Sequence, residues 1–73
     1  MDEKLQVLFM QTRLLRLASE RWEKTIEDVV HVFTSSEVFA YIEDGFGIFH
    51  CEGDLAILED IEEFLERKGV IYR

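Results

Sequence analysis

From Asp54 onward the chain repeats apolar residues at a helical period and then stops. At about 100° per residue, Ile57, Leu58, Ile61, Phe64 and Leu65 fall inside one arc of roughly 120°, the width of a stripe that faces a core. Glu59, Asp60, Glu62, Glu63 and Glu66 take the rest of the circumference. Asp54 suits the N-cap, Gly53 frees the backbone just before it, and Gly69 suits the left-handed residue that closes a last turn. A helix with one apolar face must be covered, and only a 73-residue chain is at hand to cover it.

The partner elements are also helical in pattern. Residues 2–20 read as one long helix, with Asp2 and Glu3 where carboxylates favour the dipole and Arg13, Arg16 and Arg21 towards the other end. Its apolar residues form two stripes. Val7, Met10, Leu14, Leu17 and Ala18 make the broader one, and Leu5, Leu8, Phe9 and Leu15 lie nearly opposite. A surface helix needs one apolar face, so this one is either central in the fold or shared between two chains, and so small a domain favours sharing. Leu5, Leu8, Phe9 and Leu15 are therefore the expected self-association surface of a homodimer.

Ser19 to Lys24 reads as a polar break around Trp22. Thr25 opens a second helix, with Asp28 completing a weaker capping box and Ile26, Val29, Val30 and Phe33 as its buried face. Thr34-Ser35-Ser36-Glu37 is the capping box of a third helix that carries Val38, Phe39 and Ile42 inward and ends at Asp44-Gly45. Phe46 to His50 is aromatic and β-prone between glycines, an irregular or weakly extended segment to which Val70-Ile71-Tyr72 is expected to pair. The expectation is an all-α, mainly helical domain over residues 1–73: four compact helices, with that short segment before the last.

Charge narrows the function classes. Residues 1–24 carry five basic and four acidic side chains, whereas residues 25–66 carry twelve acidic ones and no Lys or Arg. Nucleic-acid binding needs clustered cations and is not expected. An acidic block of this kind suits a basic protein partner, or solubility alone. Glu59, Glu62, Glu63 and Glu66 are the expected partner-facing residues. Glu59–Glu63 and Glu62–Glu66 repel at i,i+4, and Glu63–Arg67 offsets part of that repulsion. Replacing Glu62 and Glu66 by Gln is accordingly expected to spare the fold. Apolar runs of three or four residues do not reach a membrane span, which points to a soluble, cytoplasmic protein.

Catalytic signatures are sparse. His50-Cys51 is the one place for nucleophile chemistry, yet adjacent residues in an extended segment point to opposite faces, so a buried, inert Cys51 and a structural His50 are expected. One cysteine and two histidines make no zinc framework. Asp44-Gly45 with Glu52 and Asp54 lacks the alternating oxygens of a calcium loop, because Phe46, Ile48 and Phe49 fall at ligand positions. The second and third helices resemble a helix-turn-helix in outline, but the would-be recognition helix offers Glu37 and Glu43 and no cation. Neither a cofactor, a metal nor an enzymatic activity is expected.

The segment from Val38 to Val70, with GFGIFHCEG at 45–53 and AILEDIEEFLERKGV at 56–70, resembles a family of small uncharacterised bacterial proteins. There a short helix precedes a Tyr-Asp-x-Leu-His-Thr-x-Gly-like stretch, an acidic helix of the type I-x-D-I-x-E-F-L and a Gly-Val ending. His50, Gly53, Asp60, Ile61, Phe64, Leu65, Gly69 and Val70 match, while Gly45-Phe46-Gly47 and Cys51 depart. The resemblance implies a small helical interaction module, antitoxin-like or immunity-like, of the kind encoded beside toxin-like enzymes, and no activity carries over from it. Two other classes stay open: an acidic nucleic-acid mimic that occupies an enzyme's site, with carboxylates along one continuous track, and a small thiol or metal enzyme, which needs His31, His50 and Cys51 to converge.

Overall fold

In the computed structural model, which describes residues 2–73, the chain forms α1 (Glu3–Trp22), α2 (Ile26–Ser35), α3 (Val38–Phe49) and α4 (Asp54–Arg67), with no strand among the described residues. The fold is all-α, as the helical periods require.

α1 begins at Asp2, whose carboxylate accepts the Lys4 N–H at 3.0 Å. It runs through the expected polar break to Trp22, because Trp22 continues the line of Val7, Met10, Leu14 and Ala18 into the core. Glu23 then takes a left-handed φ of 55°, and the Lys24 N–H returns to the Ser19 carbonyl at 3.1 Å. α2, α3 and α4 all pack on α1. The long helix is thus central, and centrality covers Leu15 and Leu17, which pack against the core. It does not cover the start of the second stripe: Leu5, Leu8 and Phe9 remain 46%, 52% and 48% exposed.

α2 is capped by Thr25, whose hydroxyl accepts the Asp28 N–H at 3.1 Å. Val29 and Phe33 are buried, whereas Ile26 and Val30 face outward, so only two of the four expected residues form its inner face. The expected capping box at 34–37 does not form. Thr34 and Ser35 complete α2, the Ser35 hydroxyl donates back to the His31 carbonyl, and α3 starts after a left-handed Glu37 (φ 62°) that makes no side-chain cap.

The largest departure from the sequence reading is α3. It does not stop at Asp44-Gly45 but passes through both glycines to Phe49, and Phe46–His50 is neither extended nor paired with the C-terminus. Burial explains this. Val38, Ile42, Phe46 and Phe49 lie on one face at spacings of three and four, and all four are buried. That gain outweighs about 1 kcal/mol of helix propensity lost at each glycine. Gly45 has its own reason: a Cβ there would stand 2.5 Å from the Phe49 ring.

α4 follows the expected stripe closely. Ile57, Leu58, Ile61 and Leu65 are buried and Phe64 is half-buried. Its N-cap is Gly53, not Asp54. The Asp54 carboxylate instead pairs with Arg13 of α1 at 3.0 Å. Gly69 is left-handed (φ 74°), with Gly69 N–H to the Glu66 carbonyl and Val70 N–H to the Leu65 carbonyl, both at 3.0 Å. These are the two bonds of a Schellman closure. They turn residues 70–73 back over the bundle, where Tyr72 is buried and its ring lies 4.7 Å from that of Trp22.

Candidate functional site

The four glutamates expected to face a partner divide into different roles. Glu62 is turned inward and is only 7% exposed. Its carboxylate accepts Arg21 Nε at 2.7 Å, Trp22 Nε1 at 2.8 Å and Arg73 at 3.3 Å. Burial pushes this carboxyl up, but the three donors outweigh it and hold Glu62 below the usual carboxylate range. It is an internal counter-ion joining α1, α4 and the C-terminal tail. Glu66 accepts the Tyr72 hydroxyl, and burial together with that bond pushes the phenol up to about 12. Glu63 pairs with Arg67 at 3.2 Å on the surface, as its spacing suggested. Glu59 is exposed. Glu62 and Glu66 therefore point to different donors, and their expected repulsion is met by charge and hydrogen bonding.

His50 and Cys51 also differ from expectation. The helical turn that ends α3 lets His50 Nδ1–H donate to the Phe46 carbonyl at 2.9 Å, and it places Nε2 3.6 Å from Cys51 Sγ. Both residues are exposed, so Cys51 is not the buried thiol expected of it. His31 lies on α2 beside a hollow lined by Trp22 and Tyr72, while His50 lines a separate one with Phe9 and Phe46. The convergence needed for a three-residue thiol or metal site does not occur. Among the described residues, no group of three or more His, Cys, Asp or Glu side chains is placed to hold a metal ion.

What α3 and α4 do bring together is an aromatic platform with acidic surroundings. Tyr41 and Phe64 stack with ring centroids 4.2 Å apart and an interplanar angle of 22°. Both are half-buried, so one side of the pair meets solvent. Burial first, then the field of Asp60, with Glu63 and Glu52 adding to it and Arg67 opposing, raises the Tyr41 phenol. Beside the stack lies a shallow depression of about 240 Å³ between Glu37, Asp44, Phe64 and Lys68. Lys68 already occupies one edge, its ammonium 4.7 Å from the Phe64 ring centre, 3.1 Å from the Ser36 carbonyl and 3.6 Å from the Glu37 carboxylate. The surface thus accepts an ammonium through a ring face, a carbonyl and a carboxylate at once.

Nothing local marks Tyr41 and Asp44 as parts of one face with Phe64, because that face exists only once α3 packs beside α4. Once the helix is extended, Tyr41 sits beside Ile42 at the edge of the buried stripe, as Phe64 does on α4. The Trp22–Glu62 bond joins residues 40 apart and has no local signature.

No helix among the described residues is long and apolar enough to cross a membrane. Comparison with curated proteins and with solved structures finds no match to the chain. The model of a family described as a protein of unknown function, DUF3791, matches residues 9–68, a span that contains the stripe of α4, the Tyr41–Phe64 platform and most of α1; the chain belongs to that family.

Proposed function

We propose that this protein is a non-catalytic interaction module whose α3–α4 face docks a basic segment of another protein. The observation that carries the reading is the Tyr41–Phe64 stack set among Asp44, Glu52, Asp60 and Glu63, with Lys68 seated against it. Arginine and lysine side chains are recognised by ring faces and carboxylates together. Glu59 and Glu63 extend the acidic surface along α4, while Glu62 lies outside it because its charge is spent internally. An antitoxin-like or immunity-like role, holding a basic surface of a toxin-like enzyme, fits this chemistry and the resemblance of Val38–Val70.

The mimicry reading is weaker. A nucleic-acid mimic needs a continuous track of free carboxylates, and here Glu62 is buried while Asp54, Glu63 and Glu37 are each engaged by a cation.

Titration with a nona-arginine peptide tests the reading. Affinity should fall at least about tenfold between about 50 mM and about 300 mM salt, because the contact is between screened surface charges. Asp60→Asn with Glu63→Gln should weaken binding several-fold, and Glu20→Gln on α1 should not. Binding that ignores both salt and the α4 changes would remove this face from consideration.

A further inference from the structure

We infer that a second copy of this chain covers the exposed start of α1, through an antiparallel, two-fold pairing of α1 with α1. This surface is distinct from the α3–α4 face and does not depend on it.

The first observation is what the fold leaves open. α1 is the helix on which the other three pack, yet Leu5, Leu8 and Phe9 are about half exposed on successive turns of its outer face. Arg16 follows on the same face and has no ion-pair partner among the described residues. Beside Leu8 a hollow of about 590 Å³ opens between α1 and α3, with Val7 and Phe46 in its floor and Gly47 in its wall. Outside its own stretch of helix nothing lies within 4 Å of where a Gly47 Cβ would stand, so that wall is open, and the volume is enough for a large side chain.

The second observation is self-complementarity. A two-fold axis crossing α1 at the level of Val7 sets position 7+n of one copy against position 7−n of the other. Leu5 then meets Phe9 of the other copy, twice, and Leu8 of each copy stays on the side where the hollow of the other copy opens. The same register sets Asp2 beside Thr12 of the other copy. Helical side chains lean towards their own N-terminus, so Arg16 of that copy reaches back towards Asp2. An isologous contact needs one self-complementary surface, and this one carries an apolar centre with opposite charges at its two ends. The wider electrostatics agree. Residues 1–24 carry five basic against four acidic side chains, whereas residues 25–66 carry twelve acidic ones and no Lys or Arg, of which, among the described residues, only Glu37, Asp54, Glu62 and Glu63 are met by cations from outside that block.

Sedimentation at about 100 μM decides the stoichiometry, a concentration at which even a contact of modest affinity is populated. The unmodified protein should sediment as a dimer. Phe9→Glu should give a folded monomer, since half of Phe9 already meets water, while Leu55→Glu, an equally exposed leucine on α4 (51%), should leave the dimer intact. A monomeric unmodified protein, or a Phe9→Glu variant that remains dimeric, overturns the inference. Geometry is tested by a spin label at Glu20→Cys in a Cys51→Ser background. Antiparallel pairing about Val7 places the two labels roughly 40 Å apart along the helix direction, at about 1.5 Å per residue. A separation below about 20 Å, as parallel helices would give at the same rise, contradicts it.

Discussion

Trp22 Nε1 donates to Glu62 Oε2 at 2.8 Å, tying the end of the first helix to the middle of the last. Arg21 holds the same carboxylate from the side and Arg73 reaches it from the tail. Removing the carboxylate leaves the buried Trp22 N–H without its acceptor, whereas Arg21 and Arg73 already reach solvent. Glu62→Ala should therefore lower stability by roughly 1–3 kcal/mol, the range for a buried donor left unsatisfied. Glu62→Gln, which keeps the shape and loses the charge, should cost less than Glu62→Ala and still be clearly destabilising. Chemical denaturation of both variants measures this. A neutral Glu62→Gln would mean that the carboxylate acts as a surface charge.

The same contacts predict how stability follows pH. The folded-state value of Glu62 lies below its unfolded one, so its contribution is fully present above about pH 4.3 and is lost as pH falls further. Tyr72 works in the opposite sense. Its phenol is held protonated up to about 12, by burial first and by the bond to Glu66, so its contribution is present below about pH 10 and lost as pH rises from there. Thermal melts should be flat between about pH 6 and about pH 9 and fall on both sides. In Tyr72→Phe the alkaline decline should diminish while the acid decline stays.

Two glycines of α3 should answer the same substitution with opposite signs. Gly47 is helical and open, so Gly47→Ala should stabilise by about 0.5–1 kcal/mol through helix propensity. At Gly45 the added methyl would collide with the buried Phe49 ring at 2.5 Å, and Gly45→Ala should destabilise despite the same propensity gain. Equal effects at the two sites would contradict the close approach of Phe49 to the helix backbone.

Cys51 gives a third contrast. Its thiol is exposed and lies 3.6 Å from His50 Nε2. A disulfide reagent should label it on the folded protein within about a factor of ten of the rate in denaturant, because access sets the rate of an unburied thiol. Labelling that waits for unfolding would place the sulfur inside.

How much of this was legible beforehand depended on range. The stripe of α4, the Gly69 closure and the Thr25 cap are local patterns, and each formed where its residues indicated. Past Asp44 the pattern is ambiguous, because Gly45, Gly47 and three aromatic or β-branched residues carry weak local preferences, and only burial of Phe46 and Phe49 decides for a helix. The role of Glu62 was invisible for a related reason. Its periodicity marks it as polar, but its donors Arg21 and Trp22 are 41 and 40 residues away. Long-range partners turned a supposed docking residue into the centre of an internal network, while Tyr41, unremarked in the sequence, became part of the exposed face.

We propose above all that the face built on Tyr41 and Phe64 takes cationic side chains. Heteronuclear NMR of the labelled protein during nona-arginine titration tests it most directly, since it locates binding residue by residue. The largest shifts should cluster at Tyr41, Asp44, Asp60, Glu63 and Phe64, with the Lys68 ammonium displaced from the Phe64 ring. Shifts spread evenly over exposed carboxylates away from that face, such as Glu20 and Glu27, with Lys68 undisturbed, would contradict it.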